Sequence, residues 1–278
     1  MKVIFGGILG ILAWVAVLIL PAYAGSMDDV INRGSLRIGI AQESFMPWIG
    51  RDPSGALLGY EIDVATDLAR VLSVEPKFVE VPYAELQTRL SNGDVDVIVS
   101  GYTVTANRAR SALFSKPYGN AEFWLVVDTK TLPDSAKDGN YDVEGYKVGV
   151  MAGTVSEELA RGMFLKSTIV PLQDDTAVRD ALDKAEVNAV VAPTPYPTYM
   201  MLRHPDRFAI GSDALFSTAQ AIAVRPDSLR FINFIDAWIT ENEMNGRKQQ
   251  AQDYWFGSLD WESRLSGDVA VTDEAKPQ

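Results

Sequence analysis

The residues of this chain best suited to chemistry lie in the run Gly101-Tyr-Thr-Val-Thr-Ala-Asn-Arg108. An apolar segment, Val95 to Val99, precedes the run and is predicted to be a strand, and Thr105 is a typical N-cap for a helix that would start there. Backbone N–H groups, a hydroxyl and the Arg108 guanidinium would then meet at one helix N-terminus. Such a place favours an anion, and arginine binds a carboxylate through two hydrogen bonds, so the run predicts a small-carboxylate site. A surface arginine in a Thr-capped loop is the alternative.

The composition argues against several other kinds of functional site. The chain of 278 residues has no Cys and a single His, which excludes disulfides, thiolate metal sites and a lipid-anchored N-terminal cysteine. A zinc site would need mostly carboxylates, and His204 lies in Arg203-His-Pro-Asp206, a sequence typical of a loop. The net charge of −12 argues against nucleic acid as a partner. No catalytic residue, metal or cofactor is expected.

The N-terminus has the pattern of an export signal. Lys2 supplies a positive start, Ile8 to Leu20 is almost uninterruptedly apolar, and Ala22-Tyr-Ala24 fits the cleavage rule of small residues. Cleavage after Ala24 would deliver the mature protein to the periplasm. An uncleaved membrane anchor is the alternative, but the apolar run is short for a span, which needs roughly 20 residues.

Strand and helix patterns alternate along the rest of the chain, which predicts an α/β fold with a mostly parallel sheet. The pattern stops in a polar segment, 131–145, and then starts again, which favours two units of similar layout. The last residues, 267–278, are polar and predicted to be disordered. The predicted strands are 36–40, 77–81, 95–99, 123–127, 147–151, 168–171, 187–192 and 220–224, and the predicted helices include 65–72, 83–90, 178–185, 231–238 and 244–256, with another opening at 153–158.

Seven short motifs, in this order and behind an apparent signal peptide, resemble the periplasmic solute-binding proteins of ABC transporters, in the polar amino-acid-binding group (family 3 type). The resemblance implies two α/β lobes joined by two crossing strands, with the ligand in the cleft of this flytrap fold. It implies lobe 1 at 25–121 and 218–264 and lobe 2 at 122–217, which leaves the predicted signal peptide at 1–24 and a flexible tail at 265–278 outside the lobes. The motifs are Gly34-Ser-Leu-Arg-Ile-Gly39, Pro47-Trp48, Gly59-Tyr-Glu-Ile-Asp-Val64, Thr105-Ala-Asn-Arg108, Phe114-Ser-Lys-Pro-Tyr118, Val148-Gly-Val-Met-Ala-Gly-Thr154 and Trp255-Phe-Gly257.

The resemblance also assigns ligand contacts residue by residue. Arg108 matches the residue that clamps the ligand carboxylate, Gly101 and Thr103 match its neighbours around the carboxylate and ammonium, and Phe45 and Tyr83 match aromatic walls. In the second lobe, a helix N-terminus that meets the ligand on closure is matched by Gly153, Thr154, Val155 and Ser156. Core packing is the alternative for the two aromatic residues, and a capping box with Glu157 is the alternative for Thr154.

One departure from the family concerns the ligand's amino group. The family usually carries an acid where Pro193 stands here, and Gln42 stands where an Asp often lies in the first lobe. Because a buried ammonium without an anionic partner costs several kcal/mol, two explanations remain open. Another acid, such as Glu43, Asp174 or Asp175, supplies the charge, or the ligand carries a carboxylate and no amine.

We therefore expect a monomeric binding protein that captures a small carboxylate-bearing solute, such as an amino acid or analogue, and docks on the membrane permease of an ABC transporter. Two alternatives are kept. The first is an accessory or sensor protein that passes its signal to a partner. The second is an enzyme that resembles cyclohexadienyl dehydratases, although the matching stretch here is Thr194, Pro195 and Tyr196, with no carboxylate for proton transfer.

Overall fold

The computed structural model describes residues 27–211 and 213–266, without the side chains of 175, 198, 199, 202 and 203. The predicted signal peptide, its cleavage site and the tail beyond residue 266 lie outside the described residues. The strands are β1 Ser35–Ala41, β2 Gly50–Arg51, β3 Leu57–Leu58, β4 Glu75–Val81, β5 Val97–Ile98, β6 Leu113–Asp128, β7 Lys147–Met151, β8 Thr168–Leu172, β9 Ala189–Pro193, β10 Phe208–Ile210 and β11 Phe216–Val224. The α-helices are α1 Met27–Arg33, α2 Tyr60–Val71, α3 Leu86–Asn92, α4 Val155–Met163, α5 Asp175–Asp183, α6 Tyr196–Arg203, α7 Leu229–Met244, α8 Arg247–Phe256 and α9 Glu262–Ser266.

Two long antiparallel strands, β6 and β11, join the two halves of the molecule. The main sheet has the order β4-β1-β5-β11-β6-β9-β7-β8, with β10 paired to β6. On one side β1 is parallel to β4 and β5, and on the other β7 is parallel to β8 and β9. Because β6 pairs with β11 along its first part and with β9 along its last part, it crosses from one half to the other. The predicted α/β fold of two lobes with two crossing strands is confirmed.

Each half has helices packed on its sheet by the apolar faces that the sequence predicts. In β1, Leu36, Ile38 and Ile40 are fully buried, and α2 buries Leu68 with its neighbours against that strand. The C-terminal helices return to this half and are tied to α2 by two indole groups. The Trp238 and Trp255 ring N–H groups donate to carboxylates of Asp67 and Asp63, at 3.0 and 2.8 Å. Helices α4, α5 and α6 pack on the sheet of the other half.

Some predicted elements have different forms in the structure. The predicted helix after Thr105 is a single 3₁₀ turn, Arg108–Arg110, because the chain enters β6 only three residues later. The Thr105 hydroxyl does accept the Arg108 N–H at 3.1 Å, but one 3₁₀ turn provides little helix dipole. The predicted strand 123–127 is the end of the 16-residue β6. Helix α6 was not predicted, because Pro195 and Pro197 at its start are typical of a loop.

Candidate functional site

A cavity between the two lobes collects most of the predicted ligand contacts. Its lining comes from the ends of β1 and β7, the start of α4, the end of β9 and both crossing strands. Seven of the nine predicted residues line it, and Arg108 and Gly153 do not. The lining residues are Ala41, Glu43, Phe45, Trp48, Ile49, Tyr83, Ser100, Gly101, Thr103, Phe123, Met151, Thr154, Val155, Ser156, Val178, Val191, Ala192, Pro193 and Gln220.

The first-lobe wall of the cavity is largely apolar. Phe45 and Ile49 exchange backbone hydrogen bonds of 2.7 and 2.9 Å, which fold the segment between them into a tight loop. Trp48 lies in that loop and is buried. Phe45 and Tyr83 pack against the core and also line the cavity, so their role as ligand walls stays a prediction. Such walls suit the aliphatic or aromatic part of a small ligand.

Arg108 lies next to this wall, with its guanidinium carbon 5.5 Å from the centre of the Tyr83 ring. Its Nη1 donates to the Thr103 carbonyl at 3.0 Å and approaches the Tyr83 hydroxyl at 3.4 Å. The guanidinium carbon is 4.2 Å from the centre of the Tyr102 ring. Arg108 is partly buried, and no carboxylate of the described residues pairs with it. A guanidinium fixed in orientation but lacking a protein anion is suited to an incoming anion.

On the second lobe, two hydroxyl groups stand at the start of α4. The Thr154 hydroxyl donates to the Met151 carbonyl at 2.7 Å, and the Ser156 hydroxyl is in hydrogen-bond contact with it. Since Thr154 uses its only proton on Met151, Ser156 is the donor in that contact. Both hydroxyls therefore keep acceptor lone pairs near the cavity, and the first N–H groups of α4 have no side-chain cap.

The predicted capping box of Thr154 and Glu157 is wrong. The Glu157 carboxylate accepts the Gly153 N–H at 2.9 Å and pairs with Arg161, and these two contacts lower its pKa, the Gly153 bond most. Gly153 has a φ of +70°, and a Cβ added to it would lie 3.0 Å from the Cβ of Ala84. Gly153 thus stands beside the cavity, at a close contact between the two lobes.

Of the acids considered for the ligand's amino group, Glu43 is the one on the cavity. Its Oε2 accepts the Tyr83 N–H at 3.2 Å. Asp174 is used elsewhere, because its carboxylate caps α5 by accepting the Ala177 N–H at 2.8 Å. Gln42 is exposed, Pro193 lines the cavity at the end of β9, and the side chain of residue 175 lies outside the described part.

Residues 36–258 match the model of the bacterial extracellular solute-binding proteins, family 3. The chain belongs to this family. It is 23% identical over 238 residues to the L-cystine-binding protein TcyJ of Escherichia coli strain K12, and the match covers 84% of this chain and 87% of TcyJ. It is 22% identical over 251 residues to a cyclohexadienyl dehydratase of Pseudomonas aeruginosa, covering 89% and 92%. A crystal structure of a mutant ArgBP from T. maritima is 28% identical, with a TM-score of 0.73 over 84% of this chain and 99% of that one.

The family 3 cavity also contains residues that the sequence did not single out. Met151 and Ala192 follow from the rule that ligands bind at the carboxyl ends of strands, so that signal was available. Trp48 was quoted within a motif but was not assigned a ligand contact. Gln220 lies inside the crossing strand β11, where no local pattern distinguishes a cavity-facing residue from its neighbours.

A buried acid lies behind the cavity of this family 3 protein. Glu61 on α2 is fully buried, and its Oε2 accepts the Tyr118 hydroxyl while Oε1 has no hydrogen-bond partner among the described residues. Burial raises the pKa of Glu61 to about 7, whereas Tyr118 and the Gly101 N–H favour the charged form and lower it. Glu61 does not line the cavity, so we treat it as a structural acid whose charge depends on pH.

Within the described ranges, 27–211 and 213–266, no three His, Cys, Asp or Glu side chains are grouped to hold a metal ion. Over the same ranges, no helix has both the length and the apolar character needed to cross a membrane.

Proposed function

We propose that this protein captures a small carboxylate-bearing solute, an amino acid or close analogue, outside the cytoplasm and delivers it to the permease of an ABC transporter, without chemical turnover. The observation that carries the proposal is the inter-lobe cavity, with an aromatic wall from one lobe and uncapped helix N–H groups from the other. TcyJ, by its name, binds L-cystine, and ArgBP structures include an arginine-bound form, which supports the same ligand class for this chain.

The ligand carboxylate is proposed to bind Arg108. The Arg108 guanidinium is hydrogen-bonded to Thr103 and Tyr83, which both line the cavity. No protein carboxylate in the described residues competes for it. The N–H groups at the start of α4 would approach the same carboxylate from the opposite lobe. A carboxylate held between a guanidinium and a helix N-terminus is a favourable arrangement for an anion.

The ligand amine is proposed to bind Glu43. Glu43 is the acidic residue in the described lining, and its Oε1 atom is not engaged in any hydrogen bond of the described structure. An ammonium bound there would have an anionic partner in the first lobe, which compensates for Pro193. This favours a ligand with both a carboxylate and an amine over an amine-free acid.

Binding is proposed to close the two lobes, with the lobe boundaries given above and a monomer as the working unit. The ligand would contact both lobes at once, so it would stabilise the closed state by its differential affinity for that state. The crossing strands β6 and β11, which contribute Phe123 and Gln220 to the cavity, would carry the hinge.

The proposal is tested by thermal unfolding of the purified protein against a panel of amino acids and their amine-free carboxylate counterparts. A ligand at about a hundred times its dissociation constant adds about 2.7 kcal/mol of stability. Arg108→Ala should remove most of that shift, whereas Arg110→Ala, an exposed arginine of the same turn, should keep it. Equal affinity of the Arg108→Ala variant and the parent would reject Arg108 as the carboxylate site.

A further inference from the structure

Gln220 is a buried polar side chain on the cavity that the proposed contacts leave unused. It lies in the crossing strand β11, is 5% exposed and lines the cavity. Its Oε1 is buried without a hydrogen-bond partner in the described structure. The contacts within the described structure leave this acceptor unsatisfied, so they do not account for a buried glutamine at this position.

The backbone around Gln220 is fixed by the loop that carries the predicted carboxylate site. The Val104 N–H donates to the Ala219 carbonyl at 2.9 Å, and the Ala221 N–H donates to the Tyr102 carbonyl at 3.1 Å. Residue 220 itself forms an antiparallel bridge with Thr103, whose carbonyl anchors Arg108. The Gln220 side chain is therefore held on the same rigid platform as the Arg108 guanidinium.

Two glycines show how the carboxamide is oriented. Its Nε2 lies 3.5 Å from the position of a Cβ added to Gly101, which lines the cavity. Its Oε1 lies 2.8 Å from the position of a Cβ added to Gly119, which lines a separate cleft behind the crossing strands. The donor end of the amide thus faces the cavity side, and the acceptor end faces the strand.

We infer that Gln220 is a specificity-determining residue whose amide N–H donates a hydrogen bond to the carboxylate of the bound solute, beside Arg108. The inference rests on the proposed function and deepens it, since it adds a neutral donor from the hinge strand to the carboxylate site. A carboxylate offers about four lone-pair directions, so a bidentate guanidinium leaves acceptors for a further donor. Because β11 runs through both lobes, this contact would tie the ligand to the hinge itself.

The test measures the affinity of the purified protein for whichever of L-arginine, L-histidine and L-cystine stabilises the parent most. Gln220→Leu should weaken binding about tenfold or more, the range of a hydrogen bond to a charged group. Gln220→Glu at pH 8.5 should weaken it further than Gln220→Leu, because a carboxylate there repels the ligand carboxylate. Gln250→Leu, an exposed residue of α8, is the matched control and should bind as the parent does.

Gly119→Ala provides a test that leaves residue 220 unchanged. The added methyl group would collide with the Gln220 Oε1 and displace the carboxamide, so this variant should also lose affinity several-fold. Gly162→Ala is its control, because a Cβ there meets nothing within 4 Å. This pair decides the question even if Gln220→Leu does not fold.

The outcomes separate the two proposals. If the parent responds to none of the amino acids, the proposed function fails, and the role of Gln220 fails with it. If the parent binds but Gln220→Leu and Gly119→Ala bind within about threefold of it, the inference is wrong and the proposed function stands. If Gln220→Glu binds better than Gln220→Leu, residue 220 accepts from an amine, and the inference is overturned.

Discussion

The buried carboxyl of Glu61 makes the stability of this protein depend on pH in a defined direction. Its pKa is about 7 in the folded protein, because burial disfavours the charged form, against an ordinary value of 4.5. The folded state therefore binds more protons than the unfolded state between these two values. The contribution of Glu61 to stability is fully present below about pH 4.5 and is lost as the pH rises through about 7.

The size of this effect follows from the two pKa values. One pKa unit corresponds to about 1.4 kcal/mol, so ionised Glu61 destabilises the fold by about 3 kcal/mol at high pH relative to low pH. Glu61→Gln keeps an oxygen acceptor for the Tyr118 hydroxyl but cannot ionise. The variant should gain stability relative to the parent as the pH rises, by about 2–3 kcal/mol between pH 5 and pH 8.

The assay is urea unfolding of parent and variant at pH 5, 6, 7 and 8, without ligand. The other titrating groups are common to both proteins, so they cancel in the difference between the two unfolding free energies. Glu144→Gln, which removes an exposed carboxylate, measures the general effect of losing one negative charge. A difference between Glu61→Gln and the parent that stays constant over this pH range would refute the reasoning.

Four further predictions follow from the site and its surroundings. Glu43→Gln should weaken binding of whichever amino acid stabilises the parent more than that of its amine-free carboxylate analogue, measured by calorimetry, and an equal loss for both would reject Glu43 as the amine site. Gly153→Ala should reduce ligand affinity, because it combines a φ of +70° with a Cβ 3.0 Å from Ala84, and parent-like affinity would contradict this. Asp96→Ala should destabilise the fold by about 2–3 kcal/mol in urea unfolding, since a fully buried carboxylate paired with two arginines is lost. The purified protein should not convert prephenate, followed by its absorbance, and turnover above a heat-treated control would revive the enzyme hypothesis.

The fold could be predicted closely from the sequence because periodicity and burial agree in it. In β1 the alternating apolar residues Leu36, Ile38 and Ile40 are buried. In α7 the predicted face of Phe231, Phe234, Ile235 and Trp238 is buried except for Phe234, which is partly buried. The length of β6 could not be predicted, since half of its pairing is with β11, about a hundred residues later in the chain. Local pattern carries no information about such distant partners.

The candidate site also has residues that the sequence could locate and residues that it could not. Loops that directly follow strands, such as those of Gly101 and Thr154, are placed at the cleft by topology, so the sequence order was enough to find them. The orientation of a side chain within a long strand depends on register and on the neighbouring loop, as the bridge between Thr103 and Gln220 illustrates. The hydrogen bond from the Gly153 N–H to the Glu157 carboxylate also depends on the φ of that glycine, which a capping pattern does not encode.

The position of the charges bears on how this cavity would work. Glu43 and Arg108 both precede β6 and belong to the proposed first lobe, whereas the second lobe contributes hydroxyls, N–H groups and apolar side chains, with Pro193 among them. Under the proposed function, the first lobe alone could then hold both charged ends of an amino acid. The second lobe would add contacts only on closure, and these would be mostly hydrogen bonds and apolar burial. Because such contacts are screened little by salt, ionic strength should affect capture by the first lobe more than closure.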